Sequence, residues 1–153
     1  GSVFIRRPAL IRPALLLDAG KVGAILSDFI DRTTWMPRLH TRAEEIAFAD
    51  RLIAQNWVNV FERTGIEAFI ARQGSKIHAL YVSSPAQGHG IGTRLLNHAK
   101  SQNDTLELWT FQKNLRAQQF YTRHGFIEKS RTDGRGNDEK LPDILLKWQR
   151  SKG

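Results

Sequence analysis

The sequence predicts an α/β fold, a mixed, mostly antiparallel sheet flanked by about four helices in the order β-α-α-β-β-β-α-β-α-β-β. Three observations predict it. Apolar stripes at helical spacing come first, then short β-rich runs joined by tight turns, and then a glycine-rich stretch that separates one such run from another helical stripe. At 153 residues and 41% hydrophobic content, the chain suffices for one core, and residues 3–150 read as one domain.

Val3 to Arg12 is apolar and basic by turns, and Pro8 and Pro13 mark it as an edge strand ending near Ala14. Asp18 precedes Val22, Ile25, Leu26, Phe29 and Ile30, a stripe that predicts an amphipathic helix reaching Thr34 and ended by Pro37. Thr41-Arg42-Ala43-Glu44 is a capping-box pattern opening a second helix, with Ile46, Ala49 and Ile53 as its core face. Trp57–Glu62, Ile66–Arg72 and Lys76–Val82 read as three strands. The turns between them, Arg63-Thr64-Gly65 and Gln73-Gly74-Ser75, make them an antiparallel meander.

After the glycine-rich stretch, Ile91, Leu95, Leu96 and Ala99 fall at helical spacing, and Leu106 to Thr110 alternates as a strand. Asn114 is placed to cap a helix carrying Ala117, Phe120, Tyr121 and His124 on one face, with Gly125 ending it. Phe126–Ser130 and Ile144–Trp148 read as the last strands, joined by a polar, mobile loop from Thr132 to Asp143.

Composition narrows the chemistry. With no cysteine, disulfides, zinc-thiolate centres and a cysteine nucleophile are excluded. The histidines show no paired spacing of the H-E-x-x-H kind, so no metal site is expected. No apolar run approaches the roughly 18 residues of a membrane span, and no signal-peptide core is visible, which predicts a soluble, cytoplasmic protein without membrane contact. The net charge of +8 is spread along the chain rather than blocked, so it reads as a solvated basic surface and not a nucleic-acid stripe.

Gln87-Gly88-His89-Gly90-Ile91-Gly92 lies between a strand and a helix. Its glycines let backbone N–H groups approach a ligand at a positively polarised helix N-terminus, a geometry that suits phosphate. A dinucleotide loop needs a third glycine where Thr93 stands, and a nucleoside triphosphate loop needs Gly-Lys where the chain has Gly92-Thr93-Arg94. What remains, Q-x-x-G-x-G after Ser84-Pro85 and before Leu95-Leu96, resembles the acetyl-CoA loop of the GNAT superfamily of N-acetyltransferases. The element order is similar over residues 9–148. So is Thr110-Phe111-Gln112-Lys113-Asn114, followed by Ala117, Phe120-Tyr121 and Gly125-Phe126, to the family's segment after its fifth strand.

The resemblance implies acetyl-CoA as the acyl donor and a small-molecule or peptide amine as acceptor. It implies that the strands around the loop splay, with Leu80 and Val82 offering backbone groups to the pantetheine and Tyr81 between them. Gln87, Gly88, His89, Gly90, Ile91 and Gly92 would surround the pyrophosphate, with Thr93 and Arg94 adding contacts; Gln87 stands where many relatives carry arginine. Asn114 would bond the pantetheine or simply cap its helix, with Ala117 and Phe120 beside the cofactor. Tyr121 matches the family's general acid, with core packing as the bland alternative. For the base, His78 and Glu67 are candidates, with His40 and Glu44 behind them. Trp35, Met36, His40, Trp109 and Phe111 are expected in the acceptor pocket or in the core. A homodimer through a late sheet edge is expected, and the competing reading is a non-catalytic module that binds acyl-CoA or nucleic acid.

Overall fold

A computed structural model describes residues 8–152. Seven strands form one sheet in the order β1-β2-β3-β4-β5-β7-β6. β1 is Leu10–Pro13, β2 Val58–Glu62, β3 Ile66–Gln73, β4 Lys76–Val82, β5 Thr105–Phe111, β6 Ile127–Thr132 and β7 Asp143–Gln149. The helices are α1 (Ala19–Arg32), α2 (Arg42–Ala54), α3 (Ile91–Ser101) and α4 (Leu115–Arg123). β1 occupies the sheet edge expected of it, which lets Pro13 end the strand without a missing ladder bond; the Val3–Arg7 part of the expected strand lies outside the described residues. The meander β2-β3-β4 is antiparallel, as its short turns require.

Period-two alternation in the central strands splits the core in two. Phe69 and Ala71 face α1 and α2, while Ala68 and Ile70 face α3 and α4. The stripe of α1 buries Val22 and Ile25. Helix α1 stops at Arg32, well before Pro37, because Thr33 is extended and its hydroxyl donates to the Phe29 carbonyl at 2.6 Å. Asp18 immediately precedes α1 but its side chain does not cap that helix: its carboxylate accepts the Leu15 N–H at 2.7 Å and the Arg12 guanidinium at 2.8 Å, fixing a 3₁₀ turn that leads into α1.

The capping box of α2 is formed. Glu44 N–H donates to Thr41 Oγ1 at 3.1 Å and Thr41 N–H donates to Glu44 Oε1 at 3.0 Å, an arrangement worth about 1 kcal/mol. The expected core face of α2 needs a correction. Ile46 is 40% exposed and Glu45 is buried in its stead, with Ala49, Leu52 and Ile53. The reason lies on α1: a Cβ on Gly23 would stand 2.9 Å from Ile46 Cα, so the helices nearly touch there and Ile46 lies across the contact. Glu45 turns inward because Ser27 and Arg38 bind it. The Thr132–Asp143 loop, expected to be mobile, is tied internally: Asn137 Nδ2 donates to the Leu141 carbonyl at 2.7 Å while Leu141 N–H donates to Asn137 Oδ1 at 3.2 Å.

Candidate active site

The site begins where two strands stop pairing. β4 and β5 run parallel and pair only at Lys76↔Glu107 and Ile77↔Leu108, so from Ala79 onward β4 has no neighbour on that side. Ser83 N–H donates to the Glu67 carbonyl at 2.8 Å. Antiparallel alternation then makes Phe69↔Tyr81 a bonded pair and turns the N–H and C=O groups of Leu80 and Val82 toward the gap. Gln87 closes part of it, since its side-chain amide donates to the Val82 carbonyl at 3.1 Å. The glutamine thus fastens the loop to the strand.

A cleft of about 670 Å³ occupies this gap and is lined by α1 on one face of the sheet and by α3 and α4 on the other. One wall is the loop. Gly88 and Gly90 have φ of +85° and +73°, and a Cβ on either would meet nothing within 4 Å, so both conformations favour glycine and both backbones stand open to the cleft. Gly90 is the N-cap of α3 and Arg94 N–H makes the helix's first bond, to the Gly90 carbonyl at 3.1 Å. The N–H groups of Ile91, Gly92 and Thr93 therefore have no acceptor within the helix. Gln87, Gly88, Gly90, Ile91, Gly92 and Thr93 all line the cleft. His89 is exposed and does not, and Arg94 turns over the Phe61 ring at 5.0 Å rather than toward the expected phosphate.

The cations that do line the cleft are Arg32, Lys113, Arg116 and Arg123. Sequence reasoning missed them, although Arg116, Phe120 and Arg123 fall at the spacing of one helix face. Arg32 is paired with Asp28 at 3.0 Å, while Lys113, Arg116 and Arg123 enter no ion pair among the described residues, so the cleft keeps positive charge that, with the unpaired helix N–H groups, suits a ligand with several phosphates. Thr93 Oγ1 is 3.1 Å from His124 Nε2, and burial, with Lys100 and Arg123 nearby, holds that imidazole below its usual pKa and so neutral at pH 7.

α4 supplies the opposite wall. Asn114 Oδ1 accepts the Ala117 N–H at 3.1 Å and caps the helix, which leaves its Nδ2 free to donate into the cleft that Asn114 lines. Ala117, Phe120 and Tyr121 line it too, with Leu80, Tyr81 and Val82 across the gap. Tyr121 is 7% exposed and packs edge-on against Phe120 and Phe126. Burial, and then the neighbouring Tyr81, push its pKa above that of free tyrosine, so the phenol keeps its proton across the neutral range. Tyr81 is pushed up to about 12 by burial and by the charge of Glu139.

The expected acceptor residues divide. Trp35 lines the main cleft and packs edge-on to Phe111 at 5.8 Å; Met36, His40 and Phe111 line a smaller adjoining pocket with Phe29, Tyr81, Glu45 and Glu139. Trp109 is 52% exposed and lines neither, because it sits on the uncovered face of β5. His78 stacks on Trp57 at 5.3 Å and bonds Gln73 Oε1 at 3.1 Å, outside both cavities. Glu67 is held in a fork by Arg63 at 3.1 and 2.9 Å and lines neither. The two expected bases are therefore not brought to the site. Among the described residues, no group of three or more metal-binding side chains is assembled, and no helix is long and apolar enough to cross a membrane.

Comparison with known proteins gives the same architecture. Residues 43–128 match the family model described as an acetyltransferase (GNAT) domain. The chain is 29% identical over 143 residues to a probable N-acetyltransferase of Mycobacterium tuberculosis, covering 80% of this chain and 82% of that one. It is 33% identical over 98 residues to a peptidyl-lysine N-acetyltransferase of Escherichia coli, covering 62% and 64%. An uncharacterized N-acetyltransferase of Methanocaldococcus jannaschii is 34% identical over 84 residues, and there the match spans only 34% of the relative's length. The fold is that of YjaB from Escherichia coli, solved without ligand, at a TM-score of 0.78, 20% identity and coverage of 95% and 100%. It is also that of YncA from Salmonella typhimurium, solved with its cofactor acetyl-CoA, at 0.73, 16% identity and coverage of 96% of each chain.

Proposed function

This chain belongs to the GNAT acetyltransferase family, and from that premise we propose that it moves an acetyl group from acetyl-CoA to a primary amine of a small molecule or peptide. The observation that carries this reading is the convergence on one cleft of unpaired loop N–H groups, four cations, the open edge of β4 and a protonated, buried Tyr121. Acetyl-CoA supplies an activated thioester when bound. The loop N–H groups and Arg32, Lys113, Arg116 and Arg123 hold its phosphates, while Leu80, Val82 and Asn114 align its amide-bearing arm along the gap. Tyr121 holds the proton that the departing sulfur takes up, which makes it the general acid for direct attack by the amine. Its proton remains in place at neutral pH because burial disfavours the phenolate. The proton that the attacking amine gives up goes neither to His78 nor to Glu67, since both are held outside the cleft.

Coenzyme A should raise the melting temperature of this protein, because a ligand that binds only the folded state stabilises it by mass action. A ligand concentration about a hundredfold above Kd corresponds to about 2.7 kcal/mol. Thermal melts with and without millimolar coenzyme A test the cofactor reading, and thiol release from acetyl-CoA across a panel of amines and peptides tests transfer.

We infer a homodimer, and the feature that supports it is an exposed sheet edge. β6 ends the sheet, every residue of it is exposed, and Ile127 shows 59% of its surface. The unpaired backbone groups of β6 offer a second copy a place to add a strand, against which the charges of Glu128, Lys129 and Arg131 and the bulge between Glu128 and Ser130 act. Light scattering should give twice the chain mass of 17.4 kDa in the micromolar range, and a monomer mass throughout that range rejects the dimer.

A further inference from the structure

The small pocket beside the cleft has a volume of about 110 Å³. It shares Phe29 and Tyr81 with the main cleft, so those two rings, 4.6 Å apart, border both cavities, and a molecule that spanned them would run past or between the rings. Its most unusual wall residue is Glu45. That side chain is 97% buried, its Oε1 accepts from Ser27 Oγ at 2.6 Å and from Arg38 Nη1 at 2.5 Å, and its Oε2 has no partner among the described residues. A buried carboxylate oxygen left unpaired is costly, on the order of 1–3 kcal/mol, and Glu45, which lines the pocket, keeps that acceptor in reserve just behind the wall.

The charge balance says which donor. Arg38 and Arg42 offset Asp31 and Glu45 through their ion pairs, while Glu139 enters no ion pair among the described residues and faces the same cavity. His40, the remaining titratable side chain on the wall besides Tyr81, is already directed to Glu44 at 3.7 Å. The pocket is thus anionic within a chain of net charge +8. Phe29, Tyr81 and Phe111 add ring faces and edges around it, and aromatic walls favour a cation over a neutral group of the same size.

We propose that this pocket is a subsite for a second positive charge on the acceptor, so that the preferred substrate is an aliphatic diamine or polyamine. One nitrogen is acetylated in the cleft while another, protonated, is held against Glu45 and Glu139. The inference rests on the acetyltransferase reading and adds to it the class of amine.

The test compares diaminobutane with n-pentylamine, which has the same number of heavy atoms but ends in a methyl group. Charged hydrogen bonds of this kind correspond to a preference of about 10- to 100-fold in kcat/KM for the diamine, well above the factor of about two that its equivalent nitrogens give. In Glu45→Gln and Glu139→Gln the ratio should fall toward that factor. Because it is taken within each protein, a general loss of activity cancels, and Glu139→Gln serves if Glu45→Gln does not fold. Equal use of the two amines by the wild type overturns the subsite and means that the pocket holds only water. So does turnover of neither amine by a protein that binds coenzyme A, which leaves the cofactor reading standing. Absence of coenzyme A binding overturns both.

Discussion

Gly90→Asp should abolish the thermal shift given by coenzyme A while leaving the protein folded. Gly90 sits in the left-handed region at φ +73° and a Cβ there meets no atom within 4 Å. Aspartate is among the side chains that tolerate this conformation, so the fold should survive at a cost of about 1 kcal/mol. Binding should not. The new carboxylate projects into the cleft at the start of α3, where the unpaired N–H groups of Ile91 to Thr93 would otherwise meet the pyrophosphate. Two like charges about 4 Å apart repel by about 4 kcal/mol at an effective dielectric constant near 20, which corresponds to roughly a thousandfold loss of affinity. Gly90→Asn is the control, because it adds nearly the same volume without the charge and should weaken binding far less. If Gly90→Asp binds coenzyme A as the wild type does, the loop is not the phosphate site.

The loop was legible in the sequence because its requirements are local. Positive φ at Gly88 and Gly90, and a helix beginning at Ile91, are imposed by a few consecutive residues. The same holds for the capping box at Thr41 and for the Asn114 cap. What escaped depends on partners distant in the chain. Glu45 lies beside Glu44, whose role the capping box explains; its inward turn is set by Ser27 and Arg38, which no periodicity connects to it. The basic residues of the cleft likewise come from separate places, Arg32 from the end of α1, Lys113 from the turn after β5, and Arg116 and Arg123 from α4. His78 is a different case. Its ring stacks on Trp57 and bonds Gln73 Oε1, partners that turn it away from the cleft and that alternation along β4 does not reveal. Trp109 was misplaced because only the far end of β5 at Phe111 reaches the site.

Tyr121→Phe should slow acetyl transfer by about 10²- to 10⁴-fold with little change in coenzyme A affinity or folding. The ring packs against Phe120 and Phe126, and phenylalanine preserves those contacts, so the melting temperature should barely move. What is lost is the proton that the departing sulfur would take. The pH profile separates this role from packing. Because burial raises the Tyr121 pKa above its ordinary value near 10, ionisation of the phenol cannot reduce the rate until the pH passes that value. Below it, the wild-type rate should rise with pH as the acceptor amine, with a pKa near 10 in water, loses its own proton. The variant should keep that rise, since the amine is unchanged, while lying below the wild type across the range. Single-turnover measurements isolate the chemical step from product release, which otherwise masks part of the difference. If Tyr121→Phe transfers acetyl at the wild-type single-turnover rate with binding and stability intact, the phenol is a packing residue. Of the other phenols and acids at the site, Tyr81 is then the one to test, because it lines both cavities.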